Sequence, residues 1–134
     1  MSITAVRAAL ETKLATITPA LVTVWENVPY SPVVGVPYQA AYLLPATPAN
    51  PTMGDTYYME QGIFQVSLFY SLSAGAGAAA ARAELIRTAF KRGTSMVSGT
   101  VTVRINKTPE IGQGRVDGDR WHIPVKIQYF AGIT

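Results

Sequence analysis

Ile3, Val6, Leu10, Leu14 and Ile17 recur at steps of three and four, which predicts an amphipathic helix over residues 3–16. Ser2 is placed to cap it and Pro19 to close it. Residues 21–26 (LVTVWE) are β-branched and aromatic, and 38–44 (YQAAYLL) form a second short apolar run, so both predict strands. Between and after them Pro29, Pro32, Pro37, Pro45, Pro48 and Pro51 each remove a ladder donor. The flanking NVPYSPVVGV and PATPANPTMGDTYY are therefore predicted to be long extended connections. Over 60–72 strict alternation puts Phe64, Val66, Leu68, Tyr70 and Leu72 on one face, with Ile63, Gln65, Ser67, Phe69 and Ser71 on the other.

A second helix is predicted from about 77 to 92, alanine-rich at its start, with Leu85, Ile86, Ala89 and Phe90 following. Arg87, Lys91 and Arg92 suit its negative end, and Gly93 is placed as its left-handed stop. Residues 99–106 alternate with Val101, Val103 and Ile105 inward. Runs at 110–116 and 119–130 flank Asp117-Gly118, a dipeptide that turns with the twist of paired strands, so a terminal hairpin is expected with Trp121, Ile123, Val125, Ile127 and Tyr129 on one face. The order α-β-β-β-α-β-β-β predicts an α+β fold: a largely antiparallel β-sheet covered on one face by two α-helices. The 134 residues suit one domain over 1–134, with no internal repeat.

Composition narrows the chemistry. No cysteine means no disulfide, thiolate metal site or cysteine nucleophile, and His122 is the single imidazole. Arg7, Glu11 and Lys13 interrupt the apolar pattern of the first 18 residues, which argues against a signal-peptide core and for a soluble intracellular protein. A net charge of +3 is compatible with nucleic acid but too mild to argue for it. The low charged fraction of 14% points instead to surface covered by partners.

Gly75-Ala76-Gly77-Ala78-Ala79-Ala80 follows a strand and opens a helix, as a dinucleotide-binding fingerprint does, but no Asp or Glu stands between Glu84 and Glu110 to hold a ribose. It reads as a glycine entry to a tightly packed helix. Asp117, Asp119 and His122 lie close in sequence, yet Asp117 suits the turn and His122 the outward strand face as a solvated imidazole. Other carboxylates are scattered singly, and no nucleophile–base motif is present. The cations Arg82, Arg87, Lys91 and Arg92 read as a solvated helix face or a phosphate-binding stripe, while Lys107, Arg115 and Arg120 sit in loops and strand ends without neighbouring exposed aromatics. Tyr30, Tyr38, Tyr57 and Tyr58 border the proline-rich stretches, as anchors to the core or as contacts for a partner. Pro29 to Pro37 is expected to form an extended arm, with Tyr30, Val33, Val34 and Val36 meeting a neighbouring subunit or another protein instead of the arm's own core.

LVTVWENVPY after the first helix, Leu44-Pro45 before the proline-rich connection, EQGIFQVSLFY, AARAELIRTAFKRG and GRVDGDRWHIPVKIQYF together span nearly the whole chain. In this arrangement the sequence resembles the tail terminator proteins of long-tailed bacteriophages, the family that includes the terminator of phage lambda. The resemblance implies a non-enzymatic virion protein of the neck, present in the host cytoplasm during assembly. It also implies a hexameric ring that docks on the tail tube protein, stops tube polymerisation and presents a surface to the head-side connector. Genomic DNA would pass through without sequence-specific binding, and no cofactor, metal or membrane is implied. A radius of gyration of about 14 Å would let six such bodies enclose a hole on the order of 25–30 Å, wide enough for duplex DNA. Three other classes remain open: another neck or tail structural protein such as a head–tail completion protein, a DNA-binding module, and a small hydrolase or ligand-binding domain whose carboxylates converge only in space.

Overall fold

The computed structural model describes residues 2–17, 21–26, 28–31, 36–48, 50, 58–72, 77–118 and 120–133. Its elements are α1 (Ser2–Ala15), β1 (Val22–Val24), β2 (Tyr38–Pro45), β3 (Tyr58–Ser71), α2 (Gly77–Ala89), β4 (Ser95–Ser98), β5 (Val101–Ile105), β6 (Glu110–Ile111), β7 (Arg115–Asp117) and β8 (Arg120–Ile133). One sheet runs in the order β1-β2-β3-β8-β5-β4, with β6 and β7 also paired to β8. Every pairing is antiparallel except β1 with β2. The expected α+β architecture is therefore the observed one, with two strands more than the pattern predicts.

The first addition is β4. Gly99, read from the pattern as the start of a strand, takes a left-handed conformation and turns the chain so that Ser95–Ser98 pairs with Val101–Arg104. The second comes from a split of the 110–116 run. Pro124 of β8 offers its carbonyl to the Gly112 amide at 2.8 Å, so its edge faces that run, and there proline has no N–H to complete the ladder. The ladder breaks opposite it, leaving β6 and β7 on either side. Side chains have no room in the gap: a Cβ at Gly112 would stand 2.7 Å from Pro124 Cγ, and one at Gly114 would enter the Trp121 ring. The second helix ends at Ala89, earlier than predicted, because Gly93 at φ +93° redirects the chain and its amide donates to the Ile105 carbonyl.

Register assigns the two faces. Phe64, Val66 and Leu68 stand opposite Ile127, Val125 and Ile123, and these side chains are buried beneath the helices with Val103, Ile105 and Tyr129. From α1 this core takes Val6, Leu10 and Leu14; from α2 it takes Ala79, Ala83 and Ile86, with Phe90 just beyond. The alanines let α2 sit close to the sheet, and Arg82 lies among them, 4% exposed, instead of on the solvated face expected of it. Its guanidinium reaches to 3.5 Å from Oε1 of Gln39, whose Nε2 donates to Thr23 Oγ1 of β1. Leu72, expected on the inward face, is 46% exposed because β3 ends one residue earlier.

Candidate interaction surface

Opposite the helices, the second face of the sheet divides into a covered end and an open end. At the covered end, register places Tyr38 of β2, Phe69 of β3 and His122 of β8 side by side across three strands. Their rings form a continuous stack: Tyr38 to Phe69 at 4.8 Å and 17°, Phe69 to His122 at 4.7 Å and 5°. Arg115 of β7, opposite His122, extends the row by donating from Nε to His122 Nδ1 at 3.4 Å. Arg120 lies over the other end, its Cζ 5.2 Å from the Tyr38 centroid, and donates to the Val36 carbonyl. Tyr30 tilts against Tyr38 at 5.1 Å.

These contacts correct two expectations. His122 does face away from the helices, but it is 5% exposed and stacked, not a solvated imidazole. Burial, reinforced by Arg115 and opposed by Asp117, holds its pKa below the ordinary value. With Nδ1 accepting from Arg115, the neutral ring carries its proton on Nε2, which is buried without a partner among the described residues. Arg120, read as a strand-end cation without neighbouring exposed aromatics, is itself buried, against half-buried Tyr38. Tyr38 feels the same burial, which raises its pKa against the pull of Arg120.

The residues singled out for an interface are distributed unevenly. Tyr30 and the Val36 carbonyl are tied to the chain's own sheet, while the Val36 side chain is exposed, as is Val28. Tyr58 opens β3, half-buried, opposite Ile133. Val33, Val34 and Tyr57 lie outside the described residues, as do Gly75, Ala76 and Asp119 of the two catalytic look-alikes. Asp117 is exposed, but it ends β7 paired with Arg120, so the turn opens at left-handed Gly118, one residue later than the expected Asp117-Gly118, because the strand pairing runs one residue further.

The open end was not foreseen as a surface. Tyr42, Gln65 and Lys126 form one row and Leu44, Ile63 and Gln128 the next, with Tyr42 and Leu44 exposed. Beyond the reach of β1, the Glu26 carboxylate caps the free edge of β2, accepting from the Leu43 amide at 2.7 Å and from Arg7 at 3.0 Å. The Leu43 bond, with help from Arg7 and against partial burial, holds the Glu26 carboxyl below its usual range. Beside it Val24, Trp25, Val28, Pro29 and Tyr42 line a shallow hollow of about 400 Å³. Val97 on β4 stands 69% exposed at the opposite edge of the sheet. Neighbouring exposed apolar side chains, as at the β1–β2 edge, are a feature of surfaces that meet other proteins, whereas Val97 stands singly. Among the described residues no group of three acidic or imidazole side chains converges as a metal site, and no helix is long and apolar enough to cross a membrane.

Residues 5–129 match the family described as phage tail terminator protein. The chain belongs to the phage tail terminator family. That places it in a structural family of the phage tail, as the resemblance implied. One solved structure, 28% identical, superposes with a TM-score of 0.79 over 98% of this chain and 96% of its own. A chain in the solved virion of a native gene transfer agent particle shares the fold at 19% identity, with a TM-score of 0.58 and the same two coverages. Curated protein sequences contain no match.

Proposed function

We propose that this chain, as one domain over 1–134, forms a hexameric ring at the neck of the virion. The ring caps the tail tube, stops its polymerisation and receives the head-side connector, having assembled in the host cytoplasm. The observation that carries this reading is the terminator-family match across residues 5–129. The exposed apolar group of Val28, Tyr42 and Leu44 at the β1–β2 edge supports it as one half of a head-to-tail contact, the other half of which must lie elsewhere on the subunit. In this reading Tyr30, Val33, Val34, Val36, Tyr57 and Tyr58 lie at the subunit or tube interface, and genomic DNA passes through the lumen without sequence-specific recognition.

Electron microscopy of the purified protein, alone and mixed with tail tubes, tests the proposal. Rings, or tubes capped at one end, are the expected result. A chain that stays monomeric and never binds tubes refutes it. Replacing Val33 and Val34 with Ser is expected to leave the melting temperature of the monomer nearly unchanged while weakening ring formation or capping. Each lost side-chain burial, about 1.5–3 kcal/mol, would be intermolecular. A destabilised monomer that assembles normally once folded would remove these two residues from the interface.

A further inference from the structure

The basic residues that lie apart in sequence meet at one corner of the fold. The last turn of α2 leads through Lys91 and Arg92 to Gly93, whose amide bonds to Ile105, and Thr94 pairs with Ile105 in turn. This seats the helix end beside Ile105 at the close of β5, with Lys107 just past it, while Arg104, alternating with buried Val103 and Ile105, faces the open side of the sheet at the same end. Arg87 Nε donates to the Pro109 carbonyl at 3.2 Å, which fastens the following loop to the same helix end. Lys107 and Lys126 then line a hollow of about 300 Å³ with Thr108, Gln128 and Glu110 on the open face of the sheet.

Lys91, Arg92, Arg104, Lys107 and Lys126 are all exposed, and among the described residues none of them is in an ion pair. The ion pairs that do form use Arg7 and Arg87. Glu110 is the one carboxylate lining the hollow; it stands opposite Lys126 in register, without an ion pair among the described residues, and offsets part of that lysine's charge. Five unpaired cations gathered at one corner repel one another, and a polyanion relieves that repulsion while releasing its own counterions. The helix C-terminus adds its negative dipole end, so the cations also screen the helix from an approaching anion.

We infer that this corner, Lys91, Arg92, Arg104, Lys107 and Lys126, binds the phosphate backbone of duplex DNA without reading its sequence. At about 3.4 Å per residue along β8, Lys126 lies about 10 Å beyond Tyr129, the partner of Ile105. The whole patch is therefore on the order of 20 Å long, the axial length of about six base pairs. Its side chains are flexible lysines and arginines on strand and helix ends, and among the described residues no recognition element projects from it to enter a groove, so backbone contact is what it can offer. The biological setting, DNA in transit through the tail end, rests on the ring reading above; the binding itself does not.

Fluorescence anisotropy with two unrelated labelled 30-base-pair duplexes, measured from 50 to 200 mM salt, tests the inference. Five phosphate contacts predict a slope near −4.5 in log K against log salt, so that affinity falls about 500-fold over this fourfold change. Both duplexes should bind alike. The triple variant Arg92→Gln, Lys107→Gln, Lys126→Gln should lower the fall to about 12-fold, whereas Lys13→Gln, on α1 away from the corner, should leave it unchanged. Matching melting temperatures establish that the variants are folded. No duplex binding at 50 mM salt, an unchanged slope in the triple variant, or tighter binding to polyglutamate than to duplex would each overturn the inference. Rings that form normally without binding DNA defeat this inference alone, and DNA binding by a chain that forms no ring defeats the ring alone.

Discussion

Gly62 in β3 faces Tyr129 in β8, and the structure leaves no space for a side chain there. A Cβ at this position would lie 2.5 Å from the Leu44 carbonyl oxygen, 2.8 Å from Tyr129 Oη and 3.0 Å from Pro45 Cα. Two of these atoms belong to the backbone of the adjacent strand β2, and the third ends a ring that is 2% exposed and packed in the core. None can swing aside cheaply. Overpacking of this kind costs about 1–3 kcal/mol, and loss of glycine's freedom in the unfolded chain returns at most about 1 kcal/mol. Gly62→Ala is therefore expected to destabilise the protein by about 1–2 kcal/mol, read from denaturant unfolding followed by tryptophan fluorescence. Tyr129→Phe removes one of the three clashing atoms. Alone it should be neutral or stabilising by up to about 1 kcal/mol, because Tyr129 Oη is buried without a partner among the described residues. Combined with Gly62→Ala it should recover part of the loss, a coupling of about 0.5–1 kcal/mol in a double-mutant cycle. A Gly62→Ala protein as stable as the parent would refute the close-approach argument, and strict additivity would refute the role of the hydroxyl.

The same tyrosine supplies a pH test: burial first, and Glu60 second, push its pKa up to about 12 from an ordinary 10. The unfolded chain ionises first, so stability held below pH 10 should fall as pH rises towards 12, and Tyr129→Phe should abolish that part of the alkaline loss. His122 acts at the other end of the scale. Its depressed pKa means that the unfolded chain takes up the proton first, so its contribution is complete above about pH 6.5 and lost as pH falls; His122→Phe should keep the stack and flatten that limb of a melting-temperature profile. Glu26→Gln removes the charge that holds Arg7 and the Leu43 amide, and should cost about 1 kcal/mol at pH 7, allowing for partial solvent screening. Because the Glu26 carboxyl is held below its ordinary range, that difference should vanish as pH drops through it; a gap that persists in acid would show that charge is not the cause.

Periodicity alone determined where the two helices and the long strands run and which of their faces is apolar. A repeat of 3.6 or 2 is a local property, and burying that face is the dominant gain in folding. Val6, Leu10, Leu14, Phe64, Val66, Leu68, Ile123, Val125 and Ile127 all stand where alternation and helical spacing put them. The reversal between β7 and β8 was legible for the same reason, although the pairing of Asp117 with Arg120 moves the turn one residue on from the expected Asp117-Gly118. Short elements were not: β4, β6 and β7 have two to four residues each, too few to show a period, and they exist because Gly99 turns the chain and Pro124 interrupts a ladder. The polar face of the sheet was decided by register. Tyr38, Phe69 and His122 are separated by more than thirty residues at each step, and only the pairing of β2, β3 and β8 brings their rings into one stack and shuts out the water that a lone histidine would otherwise keep. The gathering of Lys91, Arg92, Arg104, Lys107 and Lys126 at one corner has the same origin. Charge along a chain adds up to a net value, but the field at a surface depends on which charges tertiary contacts place side by side.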